Sequence, residues 1–306
     1  MFDGLAYSHV EMDRAAQSRT DPDWTAARLR RPDTRVIPMW RDRCLLTGGI
    51  SIAVTGEQGQ AAAAAAGQTA LLGLADTTAV FAADLSELSE AEAVAACGAD
   101  STADLRTLAG ALPGPVAASA AYARGLLYWN RHSRYCGSCG APTRSGHAGH
   151  IRFCTGPDCR RQLFPRIEPA VIVLVESPEP EPRCLLARHS GAGEDRYALL
   201  AGFVEIGEGL EGAVRREVAE EAGVVVGDVT YQGSQGWPFP AGLMVGFVAR
   251  ATDPRIQADG VELQEARWFT RDEVVDRIQA GPGSGPVDSI GGWLLRSWVR
   301  VRSVRR

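Results

Sequence analysis

The chain has 306 residues, with 32 basic and 37 acidic side chains and a net charge of −5 at pH 7, so there is length for two domains and no general electrostatic pull toward nucleic acid. Every basic residue is arginine, which excludes a Schiff-base lysine and the lysine of a P-loop. No apolar run reaches the roughly 18–20 residues that span a bilayer, and "MFDGLAYSHVEMDR" has neither a basic start nor an apolar segment; the expectation is a cytoplasmic protein with no membrane association.

From about residue 35 to 85, the runs "RVIPMW", "RCLLTGG", "TALLGLAD" and "TAVFAADL" alternate with turn residues and read as strands of a small sheet. The alanine tract Ala61–Ala66 between them reads as a loop or as a low-information segment with no role. "SELSEAEAVAAC" has a capping-type start and helical composition, and "GPVAASAAYARGLLYWNRH" has apolar residues at helical spacing. Next comes a cysteine-rich unit. Beyond it, "AVIVLVE", "CLLAR", "YALLAGFVE" and "LMVGFVARA" read as strands, and "EARWFTRDEV" as a strand passing into a helix. "IGGWLLRSWVRV" closes the chain as a helix. Without regular βαβ alternation, residues 165–306 suggest an α+β or α/β sandwich. The domain expectation is 1–128, 129–165 and 166–306.

Cys44, Cys97 and Cys184 are isolated and read as buried thiols. The other four follow the spacing Cys136-x2-Cys139-x14-Cys154-x4-Cys159, that of a zinc ribbon. Four thiolates satisfy tetrahedral Zn²⁺ with no position left for water, so the expected role is structural, with one zinc per chain. His147 and His150 lie close enough to compete, but the cysteines already complete the set. Arg131, Arg134, Arg144, Arg152, Arg160, Arg161 and Arg166 surround the cluster. They read either as compensation for the thiolates or as phosphate contacts.

The stretch "AGFVEIGEGLEGAVRREVAEEAGV" crowds carboxylates into a helix expected over about Leu210–Ala222. At about 100° per residue, Glu217, Glu220 and Glu221 adjoin the apolar stripe of Leu210, Val214 and Val218. Like charges about 4 Å apart repel by about 4 kcal/mol near a surface, which a bound divalent cation would relieve. A solvated acidic face is the plain alternative.

Spacing favours the metal. Gly202, Glu208, Arg216, Glu217, Val218, Glu220, Glu221, Gly223 and Val224 satisfy every position of Gly-x5-Glu-x7-Arg-Glu-U-x-Glu-Glu-x-Gly-U, with U aliphatic. The stretch resembles the Nudix box of hydrolases acting on nucleoside diphosphates linked to another group. Ten residues later, "SQGWPFPAGLM" resembles the SQPWPFPxS signature of NADH pyrophosphatases, a family in which a zinc ribbon also precedes the Nudix domain. The chain is similar to the bacterial NADH pyrophosphatases, which also remove NAD caps from RNA.

That resemblance implies a Nudix α/β/α sandwich with a zinc ribbon and a smaller N-terminal α+β domain. It implies hydrolysis of NAD(H) to AMP and nicotinamide mononucleotide, activity on NAD-capped RNA, catalytic Mg²⁺ or Mn²⁺, structural Zn²⁺ and a homodimer. It assigns metal binding to Glu217, Glu220 and Glu221, with catalysis resting on these three, and adds Glu262 and the backbone carbonyl of Ala201 as ligands. Glu208 and Arg216 become an ion pair. Substrate contacts are implied for Phe164, Phe203, Arg106, Gly291 and the loop Gln235, Gly236, Trp237, Pro238, Phe239, Pro240, Ala241 and Gly242. Trp293 and Trp298 are candidate dimer contacts. Gly236 and Gly242 replace the signature's first proline and closing serine, which puts substrate selectivity, not chemistry, in question. Two other readings stand beside this one: a broader hydrolase of ADP-ribose, FAD or dinucleoside polyphosphates, and a non-catalytic nucleotide sensor on the same fold.

Overall fold

The computed structural model describes residues 5–108, 110–258, 260–280 and 289–300. Contacts divide the chain into two units: residues 7–167 with 237–241, and residues 1–6, 168–236 and 242–306.

The first unit runs α1 (Pro22–Leu29), β1 (Arg35–Trp40), β2 (Arg43–Leu46), α2 (Gly56–Ala65), β3 (Gln68–Ala75), β4 (Thr78–Asp84), α3 (Glu90–Cys97), β5 (Ser101–Asp104), α4 (Leu105–Leu108) and α5 (Gly114–His132). Its strands form one sheet in the order β3-β4-β1-β2-β5, with β1 and β4 parallel. The alanine tract is a correction: most of it lies in α2, not in a loop. Alanine has the highest helix propensity, and Ala62, fully buried against Val36, Leu45 and Val54, anchors the helix to the sheet. Helix α3 begins with a capping box between Ser89 and Glu92. The ribbon follows as β6 (Thr143–Gly146), β7 (Ile151–Cys154) and β8 (Gln162–Leu163) in one three-stranded sheet. It is fastened within this unit. Asn130 of α5 donates to the Gly149 carbonyl at 2.8 Å, and a Cβ at Gly149 would meet Ala70 of β3 at 2.6 Å.

The second unit contains β9 (Glu168–Glu176), β10 (Arg183–His189), β11 (Leu200–Phe203), α6 (Leu210–Ala222), β12 (Val226–Trp237), β13 (Gly242–Ala251), β14 (Leu263–Thr270), α7 (Arg271–Ala280) and α8 (Ile290–Arg300). The sheet order is β12-β13-β9-β10-β14, with β11 also on β9. Strand periodicity builds a sandwich. Val171, Val173, Val175, Leu185 and Ala187 face one core with Val214 and Val218 of α6. The intervening Leu174, Cys184 and Leu186 face another with Val274 of α7 and Ile290, Leu294 and Leu295 of α8. The expected α/β/α arrangement is thus present, and β9 is apolar on both faces because both are covered.

Trp298 corrects an expectation. It is 6% exposed within the second core and its indole N–H donates to Glu176 at 2.8 Å, so it is not contact surface; Trp293 packs partly against the same core. The lone cysteines Cys44, Cys97 and Cys184 are fully buried, and burial pushes the Cys44 and Cys184 thiols up to about 12.

Candidate active site and metal centre

Helix α6 is held by Ala213, Val214, Val218 and Ala222, all fully buried, and stops where Gly223 takes a φ of 66°. A side chain there would meet Gln257 at 2.8 Å, so glycine serves both the left-handed turn and a close approach. The packed face carries Glu221, only 3% exposed. A carboxylate is costly to take out of water, and buried charges are generally paired or bind metals. Glu217 is one turn earlier with its side chain 12% exposed, and Glu220 is 62% exposed.

Arg216 organises the remaining carboxylates. Its Nε and Nη2 donate to the two oxygens of Glu208 at 2.8 and 3.0 Å, and its Nη1 donates to Glu217 at 2.9 Å and Glu220 at 3.1 Å. Nη2 also donates to the Phe203 carbonyl at 2.8 Å, tying the helix to β11. Chiefly through its bond to Glu208, this raises the Arg216 pKa above the ordinary arginine value. The same bond, helped by the Glu205 backbone N–H, holds the Glu208 carboxyl below the usual range. On β11, Ala201 and Gly202 pair with Ile172 and Val171 of β9. Gly202 forms a cradle: a Cβ there would collide with the Glu217 carboxylate. The Glu217 carboxylate thus lies against the bare backbone of β11, and carboxylate and carbonyl oxygens are the donors a hard divalent cation takes.

At the end of β12 the chain turns through Pro238–Ala241 before β13. The segment expected as a loop over Gln235–Gly242 is therefore shorter: Gln235, Gly236 and Trp237 end one strand and Gly242 begins the next. Trp237 meets Phe239 edge-on at 5.2 Å, and Tyr7 meets Phe239 likewise at 5.8 Å. The Arg106 guanidinium lies 4.2 Å from the Phe239 ring centre and 6.0 Å from that of Trp237. Arg106 thus belongs to the same cluster as the two aromatic residues.

In the ribbon, the Sγ atoms of Cys136, Cys139, Cys154 and Cys159 lie within 4.8 Å of one another. The Cys139–Cys154 separation is 3.4 Å and the Cys136–Cys159 separation 3.8 Å. Four sulfurs about 2.3 Å from a tetrahedral zinc would stand about 3.8 Å apart, so the cluster can hold zinc. Backbone N–H groups of Ser138 and Cys139 bring the Cys136 thiol down to about 6. His150 is not a competitor: one ring nitrogen meets the Leu71 carbonyl at 2.7 Å and the other Arg19 at 3.1 Å. Four of the surrounding arginines are engaged structurally. Arg131 bonds Asp84 and Asp42, Arg134 bonds Glu87, Arg152 bonds Thr143, Gln68 and Asn130, and Arg144 lies over Phe153.

Residues 166–287 match the NUDIX domain family, and residues 33–129 match the NADH pyrophosphatase-like rudimentary NUDIX domain. The chain thus carries a NUDIX domain preceded by a rudimentary NUDIX domain. It is 38% identical over 191 residues to the human NAD-capped RNA hydrolase NUDT12, covering 59% of this chain and 41% of that one. With the NAD-capped RNA hydrolase NudC of Mycobacterium bovis it shares 42% identity over 187 residues, covering 58% of each. The chain therefore spans roughly half the length of these curated relatives. A crystal structure of a NUDIX hydrolase from Nitrosomonas europaea aligns with a TM-score of 0.42 at 24% identity, covering 55% of this chain and 92% of that one.

Glu262 is exposed just before β14, its backbone carbonyl accepting from Ser190 at 2.9 Å. Among the described residues only the four cysteines form a tight set of metal-competent donors; Glu217, Glu220, Glu221 and Glu262 do not converge as closely. Gln235 is fully buried and bridges backbone groups, donating to the Ala6 carbonyl at 3.0 Å and accepting from the Ile290 N–H at 2.8 Å. Gly291 has a packing reason: a Cβ would stand 3.1 Å from Ile172. Phe164 and Phe203 are 51% and 63% exposed. Sequence reasoning missed Tyr7 and Arg124, which meet the Trp237–Ala241 turn; no local motif marks either one.

Proposed function

We propose that this chain hydrolyses the pyrophosphate bond of NAD(H), giving AMP and nicotinamide mononucleotide, and that it accepts NAD-capped RNA. The observation that carries the hydrolytic reading is the buried Glu221, one helical turn after Glu217, whose carboxylate Arg216 braces and which lies in the Gly202 cradle. A helix kept only for its fold has no need of a carboxylate on its packed face. The activity named for the relatives and the aromatic turn around Trp237 support the nicotinamide dinucleotide as substrate.

Glu217, Glu220 and Glu221, with the Ala201 carbonyl and Glu262, are the proposed ligands of Mg²⁺ or Mn²⁺. A bound cation would neutralise pyrophosphate oxygens and make an attacking water more acidic. Arg216 orients Glu217 and Glu220 while Glu208 fixes Arg216 from the opposite side. Glu221, on the packed face, is the proposed proton acceptor as water adds to phosphorus. Trp237 and Phe203 are the proposed stacking surfaces for substrate rings, and Phe164, Arg106, Gly291 and the turn supply further contacts. The four cysteines hold a structural Zn²⁺, and the working form is a cytoplasmic homodimer.

The test is turnover of NADH, NAD⁺, ADP-ribose and NAD-capped RNA with Mg²⁺ or Mn²⁺. Metal-dependent release of AMP and nicotinamide mononucleotide is expected. Hydrolysis of ADP-ribose alone would leave a broader nucleoside-diphosphate hydrolase, and no turnover of any substrate would leave a nucleotide sensor.

A further inference from the structure

The turn Pro238–Ala241 has little means of holding itself in place. Pro238 and Pro240 lack backbone N–H groups, and a backbone bond inside the segment runs from the Phe239 N–H to the Trp237 carbonyl at 2.8 Å. A second tether comes from α5. Arg124 has its side chain 13% exposed, and its Nη1 donates to the Pro238 carbonyl. Its guanidinium lies 4.9 Å from the Phe239 ring centre, a cation–π arrangement. From the other side its Nε donates at 3.2 Å to the carbonyl of Asp42, whose carboxylate stands 4.0 Å away.

Asp42 is itself fixed. Arg41 and Asp42 form the two-residue link between β1 and β2, with φ of 46° and 67°, the left-handed pair of a tight hairpin turn. The Asp42 carboxylate also binds Arg131, which bonds Asp84. A continuous chain of contacts thus runs from the rudimentary Nudix sheet through Arg124 to Phe239. Phe239 in turn sets the ring of Trp237 edge-on.

We propose that Arg124 is a positioning residue for substrate selectivity: it clamps the proline turn so that Trp237 is held ready to stack on a nicotinamide ring. The inference rests on the NAD(H) reading. A preordered aromatic surface loses less entropy on binding than one that must be fixed by the substrate. Loss of the clamp therefore weakens binding of ring-bearing substrates and leaves the carboxylate chemistry intact. Lysine could keep the charge opposite Asp42, but it cannot reach two carbonyls with a planar fork while lying on a ring.

The experiment is kcat and KM of the full chain, Arg124→Gln and Arg124→Lys on NADH and ADP-ribose, with zinc content and unfolding midpoint measured alongside. Arg124→Gln should raise KM for NADH by about 10-fold, within the range of an aromatic–base stack, with kcat and the ADP-ribose constants changed by less than about 3-fold. Arg124→Lys should fall between. Should Arg124→Gln misfold, the lysine variant carries the comparison. An unchanged KM for NADH, or equal losses on both substrates, in a folded and zinc-loaded variant overturns the inference. Failure of the unsubstituted chain to hydrolyse NADH removes the functional reading, and the inference with it.

Discussion

At the scale of single residues, Glu221 and Gly202 make the proposed chemistry testable. Glu221→Gln keeps the shape of the packed face and removes the charge, so the fold should persist while kcat falls by at least about 100-fold. Near-normal turnover would show that the helix has another purpose. Gly202→Ala is a subtler probe, because its methyl group would displace the Glu217 carboxylate while every proposed ligand keeps its identity. A displacement on the order of 1 Å can cost about 100-fold in rate, and steady-state kinetics should detect it in a protein of nearly unchanged stability. Trp237→Ala should lower kcat/KM for NADH by about 5- to 150-fold and affect ADP-ribose less. Equal losses would point to packing of the turn against Phe239. The glutamates, the cysteines and the spacing that joins them were legible in the sequence because each is confined to a short segment. Arg124 and Tyr7 were not, since their partners lie far away along the chain.

At the scale of elements, the ribbon and the sheet to which it is fastened carry two predictions. Purified protein should contain one zinc per chain, and Cys136→Ser should lose it together with several degrees of thermal stability. Structural zinc contributes roughly 10–16 kcal/mol of apparent binding energy, so a metal-free protein that stays folded and active would contradict the assignment. The second concerns His150, whose ring burial brings its pKa from 6.5 down to about 4. Arg19 faces the Nδ1 side of the ring, and Arg14 and His147 add further repulsion of a proton. Because the folded pKa lies below the unfolded one, this contribution is complete above pH 6.5 and fades as pH falls toward 4. The loss is about 3 kcal/mol at most. Thermal unfolding of His150→Gln should therefore fall less steeply than that of the parent over this window; parallel curves would exclude the effect. The alanine tract lies mostly in α2. Alanine propensity favours a helix, but only Ala62 beneath the sheet shows why that helix persists.

At the scale of the whole molecule, the homodimer is open to measurement: light scattering should give twice the mass of the chain, 32.6 kDa, and dilution should lower activity. A fully active monomer at nanomolar concentration would reject it. Among the described residues no helix is long and apolar enough to cross a membrane. The sequence by itself determined whatever depends on residue type at fixed local spacing: the strand periods, the α6 bounds Leu210–Ala222, the four-cysteine set and the acidic helix. The structure decided what long-range packing controls. It turned Trp298 into core and Gln235 into a bridge between backbone groups, and joined the ribbon's turn to β3. It also grouped residues 237–241 with the N-terminal unit. Local spacing specifies which side chains share one face, whereas these outcomes depend on which faces meet, and that is chosen by burial and hydrogen bonding across the folded chain.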